Sequence, residues 1–244
     1  MRNVLVSGGS RGIGLAVSKR LAGAGYRAIA LARSQSDALG EAMAAVRAAG
    51  VGGLDFIAFD LAEIEAIPEM VRQARAAFGP IYDLVNNAAL GTDGLLANMH
   101  LSQIEALIRL NTLSPIVLTK HVVRAMMAKG EGRIVNMASI IASTGYGGLS
   151  VYGATKASIV GFTKSLSREV GRLGITVNAV APGFLETELT GAMDDGQRAQ
   201  IARRAALRRL AETEDVARAV EYLMGEGGRN ITGTVMTVDA GATA

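Results

Sequence analysis

The chain has 244 residues, half of them apolar and 19% charged, with a formal net charge of only +3 at pH 7. That balance supports a full hydrophobic core and excludes an intrinsically disordered chain. With no cysteine there is no disulfide framework, thiolate nucleophile or cysteine-ligated metal, and no metal site is expected.

Met1-Arg2-Asn3 leads straight into an apolar run, so no signal peptide is expected. No apolar stretch reaches bilayer-spanning length, and a soluble cytoplasmic protein is the expectation. Strands are predicted at Asn3–Ser7, Tyr26–Leu31, Gly53–Phe59, Tyr82–Asn86, Arg133–Met137, Thr176–Val180 and Thr234–Val238. They read as continuous apolar runs, the pattern of strands covered on both faces. Between them, apolar residues at three- and four-residue spacing predict helices such as Gly14–Ala24, Asp37–Ala49, Ile64–Phe78 and Tyr152–Arg172, with a further helical stretch from Leu101 to Lys129. Gly25, Gly50, Gly79 and Gly174 fall where helices should stop. The alternation predicts one α/β domain over residues 1–244, a Rossmann-type doubly wound parallel sheet of about seven strands with helices on both faces. Arg203, Arg204, Arg208 and Arg209 are spaced as on one helix face, which predicts a solvated surface and no nucleic-acid binding.

In such a sheet ligands bind beyond the carboxyl ends of the strands. The first strand runs into Ser7-Gly8-Gly9-Ser10-Arg11-Gly12-Ile13-Gly14 and then a helix. Gly8, Gly12 and Gly14 permit a tight turn and close backbone approach to a pyrophosphate, which the helix N-terminus would favour. The spacing is not that of a P-loop. An NAD site usually carries Asp or Glu at the end of the second strand, but here that strand ends Leu31-Ala32-Arg33-Ser34. Arg33, helped by Arg11, suits a ribose 2′-phosphate instead, so NADP(H) is the expected cofactor. Asp60, after the third strand, is read either as a partner for the adenine amino group or as a helix cap.

Tyr152-Gly153-Ala154-Thr155-Lys156 opens a helix, placing Tyr152 and Lys156 one turn apart on one face. A nearby ammonium should lower the phenol's pKa and ready Tyr152 as a general acid towards a carbonyl oxygen. Ser139, at the carboxyl end of the fifth strand, can donate to the same oxygen. Asn111, a poor helix former inside a helical stretch, is read as holding a water that relays protons to Lys156, or as marking a bend.

With these residues assembled, the sequence resembles the classical short-chain dehydrogenase/reductases over essentially its whole length. The motifs are Gly8-x-x-x-Gly12-Ile13-Gly14, Asn86-Asn87-Ala88, Asn111, Ser139, Tyr152-x-x-x-Lys156, Pro182-Gly183 with Thr187, and Ile231-Thr232-Gly233 before the last strand. The resemblance implies a catalytic tetrad of Asn111, Ser139, Tyr152 and Lys156. It implies cofactor contacts from Gly8, Ser10, Arg11, Gly12, Ile13, Gly14, Arg33, Ser34, Asp60, Leu61, Asn87, Ala88, Tyr152, Lys156, Pro182, Gly183, Leu185 and Thr187. Leu185 and Thr187 would meet the nicotinamide carboxamide, and a homotetramer would form through the Leu101–Lys129 and Tyr152–Arg172 helices.

Within the family, Gly132-Arg133-Ile134, Gly147-Gly148, Ser165 to Val170, Gly174 to Asn178 and Pro182 to Glu188 resemble the 3-oxoacyl-[acyl-carrier-protein] reductases. The implied reaction is NADPH-dependent reduction of a 3-oxoacyl thioester. Its alternatives are another small or aromatic ketone, sugar or polyketide, or a nucleotide sensor without turnover. Three departures stand out. Ala89 replaces a family glycine, and Val238-Asp239-Ala240-Gly241 replaces an ending with two glycines. Gly130 and Leu173 stand where those reductases dock the carrier protein through arginines, with Lys129 and Arg172 one residue away.

Overall fold

Successive residues of the inner strands point into different cores, which accounts for their unbroken apolar runs. Val4 and Val6 of β1 (Asn3–Ser7) join Ala28 and Ala30 of β2 (Arg27–Ala32) in one cluster, while Leu5, Ile29 and Leu31 join another. A strand covered on both sides has no solvent face to mark with polar residues. The computed structural model describes residues 1–92, 94–185 and 195–244.

The other strands are β3 (Gly53–Ala58), β4 (Ile81–Asn86), β5 (Gly132–Met137), β6 (Ile175–Pro182) and β7 (Val235–Val238). All pairings are parallel, in the order β3-β2-β1-β4-β5-β6-β7. The direction of winding reverses between β1 and β4, and a crevice opens at the carboxyl ends there.

The helices are α1 (Gly12–Gly23), α2 (Asp37–Ala49), α3 (Ile67–Phe78), α4 (Leu101–Ile108), α5 (Ser114–Lys129), α6 (Ile141–Thr144), α7 (Ser150–Val170), α8 (Asp195–Arg204) and α9 (Thr213–Met224). Helices α1, α2 and α9 cover one face of the sheet, and α3, α5 and α7 the other. Every predicted strand forms, with ends moved by one or two residues. Gly50 and Gly174 stop their helices in the left-handed conformation, at φ of 67° and 73°.

The chain departs from expectation in two places. The Leu101–Lys129 stretch is not one regular helix, because Arg109–Leu113 forms a π-helical turn between α4 and α5. The four arginines do not share a helix face: α8 ends at Arg204, and Arg208 lies in the turn beyond it at φ 52°.

Ala240 also has a positive φ, 56°, at a position where the family ending carries glycine. An L-residue there costs about 1–2 kcal/mol, part of which glycine would return as unfolded-chain entropy. Ala240→Gly is therefore expected to add about 1 kcal/mol of stability, raising Tm by ~2–4 °C in thermal unfolding. An unchanged or lowered Tm would show that the turn is unstrained.

Candidate active site

The crevice is built from the strand ends inwards. Buried Ser7, the last residue of β1, accepts hydrogen bonds through Oγ from the backbone N–H groups of Asn87 (2.9 Å) and Ala88 (3.0 Å). The Asn87 amide donates back to the carbonyls of Ser7 (3.0 Å) and Gly8 (3.2 Å). The ends of β1 and β4 are thus tied across the reversal point.

That tie explains two glycines. A Cβ on Gly14 would lie 2.1 Å from the Gly8 carbonyl oxygen and 2.6 Å from Asn87 Nδ2, so only glycine lets α1 begin this close to the turn. A Cβ on Gly8 would crowd the same Asn87 amide, at 2.9 Å. Gly12 is different: at φ 52°, its Cβ would meet nothing within 4 Å. Its backbone faces open space beside a helix start that no side chain caps. A backbone cradle at an uncapped helix N-terminus suits a pyrophosphate.

Arg33 and Ser34 follow β2 directly and are exposed, as is Arg11. Ser10 is buried, and its carbonyl accepts from the Ser36 hydroxyl that caps α2. Asp60 acts as a local cap, its Oδ1 accepting from Ala62 N at 2.9 Å. The Leu61 and Leu185 side chains are in the cores, and Leu185 forms a bridge with Ala211. Gly183 pairs with β7 by donating to the Val238 carbonyl at 2.9 Å, and a Cβ there would lie 2.6 Å from Asp239 Cβ. Thr187 lies outside the described residues.

On the other side of the crevice, α7 is anchored by burial of Ile159 and Leu166 and by Asn136, whose amide donates to Thr163 Oγ1 at 2.9 Å. This places Tyr152 in the first turn of α7, beside Ser139 beyond β5, whose Oγ accepts from Ile141 N at 3.3 Å. Both side chains retain partial exposure at the crevice. Lys156, one turn on, is buried, and its Nζ donates to the Met137 carbonyl at 2.9 Å while lying 5.7 Å from the Tyr152 ring centroid. An ammonium has three protons to donate, and among the described residues Met137 is its only hydrogen-bond acceptor. A buried cation with donors to spare fits a hydroxyl-bearing ribose.

The electrostatics differ from the sequence expectation. Burial raises the Tyr152 pKa, the neighbouring Ser139 hydroxyl opposes that rise, and the net movement is upward. Lys156 does not draw the phenol down; its ammonium is itself desolvated, and its pKa falls to about 8. Tyr152 therefore stays protonated across the neutral range, the form a proton donor needs, while Lys156 is the group that titrates near neutrality. For reduction, kcat/KM is expected to hold below pH 8 and to fall as pH rises through about 8, where the ammonium is lost. A pH profile flat to pH 10 would remove Lys156 from this role.

Asn111 sits in the π turn, buried. Its Oδ1 accepts from Leu90 N (2.8 Å), and its Nδ2 donates to Leu90 O (2.8 Å) and Thr155 Oγ1 (3.2 Å). The side chain is thus a strut between the loop after β4 and helix α7, because both its amide protons are already committed to the protein. The π turn is the bend that the other reading of Asn111 expects, and among the described residues the Asn111 Oδ1 accepts only from Leu90 N. Ser7 and Thr155 were missed as positioning residues, although they adjoin the glycine turn and sit inside the Tyr-x-x-x-Lys motif. Both types satisfy backbone groups in so many contexts that sequence spacing gives them no distinguishing mark.

Among the described residues no group of three or more His, Cys, Asp or Glu side chains could hold a metal. No helix among them is long and apolar enough to cross a membrane.

Residues 2–198 match the family model described as "short chain dehydrogenase". The chain is 41% identical over 237 residues to the 3-oxoacyl-[acyl-carrier-protein] reductase FabG of Escherichia coli (strain K12), covering 97% of this chain and 95% of that one. To the reductase of that name from Staphylococcus epidermidis it is 33% identical over 240 residues, covering 98% of each. Among solved structures, a double mutant of a Serratia marcescens short-chain dehydrogenase/reductase superposes with a TM-score of 0.91. It is 34% identical, and the match covers 100% of this chain and 98% of that one.

Proposed function

The chain belongs to the short-chain dehydrogenase family, and on that premise we propose that it reduces a 3-oxoacyl thioester to the 3-hydroxy product with NADPH. It is an oxidoreductase of the CH–OH/C=O type working with a nicotinamide cofactor. The observation that carries the reading is the buried Lys156 ammonium, held on the Met137 carbonyl at 2.9 Å one turn from Tyr152, with Ser139 beside the phenol.

Gly8 to Gly14 would cradle the pyrophosphate, Arg33 and Arg11 the 2′-phosphate, and Lys156 the ribose hydroxyls. The reduced nicotinamide, when bound, supplies hydride to the ketone carbon. Ser139 donates a hydrogen bond to the ketone oxygen and holds it against Tyr152. Tyr152 gives its proton to that oxygen as charge develops there, so that the carbonyl becomes a secondary alcohol and the phenol a tyrosinate. A solvent proton then restores the phenol, while Lys156 would hold the ribose beside it. Asn111 and Thr155 hold the first turns of α7 in register with the loop at Leu90.

The family's tetrameric association through α4, α5 and α7, and a cytoplasmic location, belong to the same reading. Carrier-protein docking would rest on Lys129 and Arg172, since Gly130 and Leu173 replace the usual arginines. Steady-state rates over a panel of ketones with both nicotinamides test the substrate assignment: a 3-oxoacyl thioester should give the highest kcat/KM. A simple ketone or sugar turned over faster would move the enzyme to another branch of the family.

The cofactor assignment has its own test. Arg33→Asp is expected to reverse the preference, lowering kcat/KM with NADPH by about 10–100-fold relative to NADH, as a favourable charge contact worth ~1.5–3 kcal/mol becomes repulsion. An unchanged NADPH/NADH ratio would show that Arg33 does not read the 2′-phosphate.

A further inference from the structure

A second concentration of functional groups lies away from the crevice, on the sheet face covered by α3 and α5. These neighbouring helices leave between them a cavity of about 400 Å³, lined by Pro68, Val71, Arg72 and Arg75 of α3 and by His121 and Arg124 of α5, among others. It ends at Gly79 and Pro80, just before β4 begins, and so opens towards the amino ends of the strands, opposite the Tyr152 rim.

Each helix contributes a pair of basic side chains three residues apart, which the helical repeat sets on one face. Among the described residues, no carboxylate lines the cavity. Glu69, the nearest acid on α3, is already held by Arg72 Nε at 2.7 Å and by Gln73 Nε2 at 2.8 Å. Arg75 and Arg124 have no carboxylate partner among the described residues. Arg75 lies in the last turn of α3, where a cation favours the helix dipole. That placement gives no reason for Arg124 and His121, in the body of α5, to face it across a hollow. Burial and the charges of Lys120 and Arg124 hold the His121 imidazole below its usual pKa, as expected in a locally positive field.

We infer that the cleft between α3 and α5 binds a compact phosphate-bearing anion through Arg75 and Arg124, with His121 as a further hydrogen-bonding group. Guanidinium groups match phosphate oxygens in pairs, and two such forks from facing helices would close on one di- or trivalent anion. Buried Val71 would form an apolar floor that keeps water from competing on that side. The site is independent of the nicotinamide crevice.

Calorimetric titration of inorganic pyrophosphate into the full-length protein tests this, with excess NADP⁺ present to occupy the crevice. The expected result is one pyrophosphate per chain. Arg75→Ala/Arg124→Ala should weaken its binding by about tenfold or more, from loss of two charge-assisted contacts. A charge-matched control, Lys19→Ala/Arg47→Ala, removes exposed cations from the opposite face of the sheet and should bind as the parent does. Unchanged NADP⁺ affinity in both variants reports that they are folded. Absence of binding in the parent, equal binding by the Arg75/Arg124 variant, or an equal loss in the control would each overturn the inference.

Discussion

Tyr152→Phe is expected to lower kcat for ketone reduction by about 10²–10⁴-fold, the usual contribution of a positioned general acid, while leaving cofactor affinity within a factor of about two. The substitution deletes one oxygen and little volume, so α7 keeps its packing and Lys156 keeps its bond to the Met137 carbonyl. What disappears is the proton that the ketone oxygen must receive. Ser139 remains and still donates a hydrogen bond, which sets a floor to the loss. Cofactor fluorescence titration alongside steady-state kinetics separates the two quantities. Retained turnover would place the acid elsewhere; turnover lost together with cofactor binding would show that the change had disturbed the fold.

Lys156→Met should make the protein more stable and nearly inactive. The ammonium is fully buried, and moving its pKa from 10.5 to about 8 corresponds to a folding cost on the order of 3 kcal/mol at neutral pH. The sign follows from proton uptake. Between about pH 8 and pH 10.5 the unfolded chain holds a proton on this lysine that the folded chain does not, so stability rises with pH across that window. Below pH 8 both states hold the proton, and the cost is present in full. Met fills a similar volume without charge, so a gain of about 1–3 kcal/mol is expected at pH 7, less whatever the bereft Met137 carbonyl takes back. The gain should vanish above pH ~10.5. Denaturant unfolding at pH 7 and pH 10 reads this difference directly, while the assay reads the loss of turnover. A variant less stable than the parent at pH 7 would mean that Lys156 is structural and not held for function.

The sheet was legible from sequence because burial on both faces leaves an unmistakable apolar signature, as at Val4-Leu5-Val6 and Ala28-Ile29-Ala30-Leu31. The glycine turn was legible for a related reason: Gly14 admits no side chain against the Gly8 carbonyl, so the residue type is dictated. The proximity of Ser139, Tyr152 and Lys156 also followed, since helical spacing fixes the last two and strand polarity brings the first. Electrostatic balance did not follow. Whether burial or a neighbouring charge governs a phenol depends on distances that spacing does not carry, and at Tyr152 burial governs. Asn111 could be flagged as out of place in a helix, but its strut to Leu90 and Thr155 needed the π turn to become visible. The arginines after Ile201 misled because helical periodicity persists in sequence past Arg204, where the backbone turns away.

The proposed reduction requires a protonated phenol to deliver its hydrogen to a ketone oxygen in this crevice. Mixing the purified protein with NADPH and a 3-oxoacyl thioester at pH 7, and following the absorbance of the reduced nicotinamide, tests that most directly. The signal should decay in step with formation of the 3-hydroxy product. A protein that binds NADPH tightly yet consumes none with any ketone offered would contradict the account and leave a nucleotide sensor in its place.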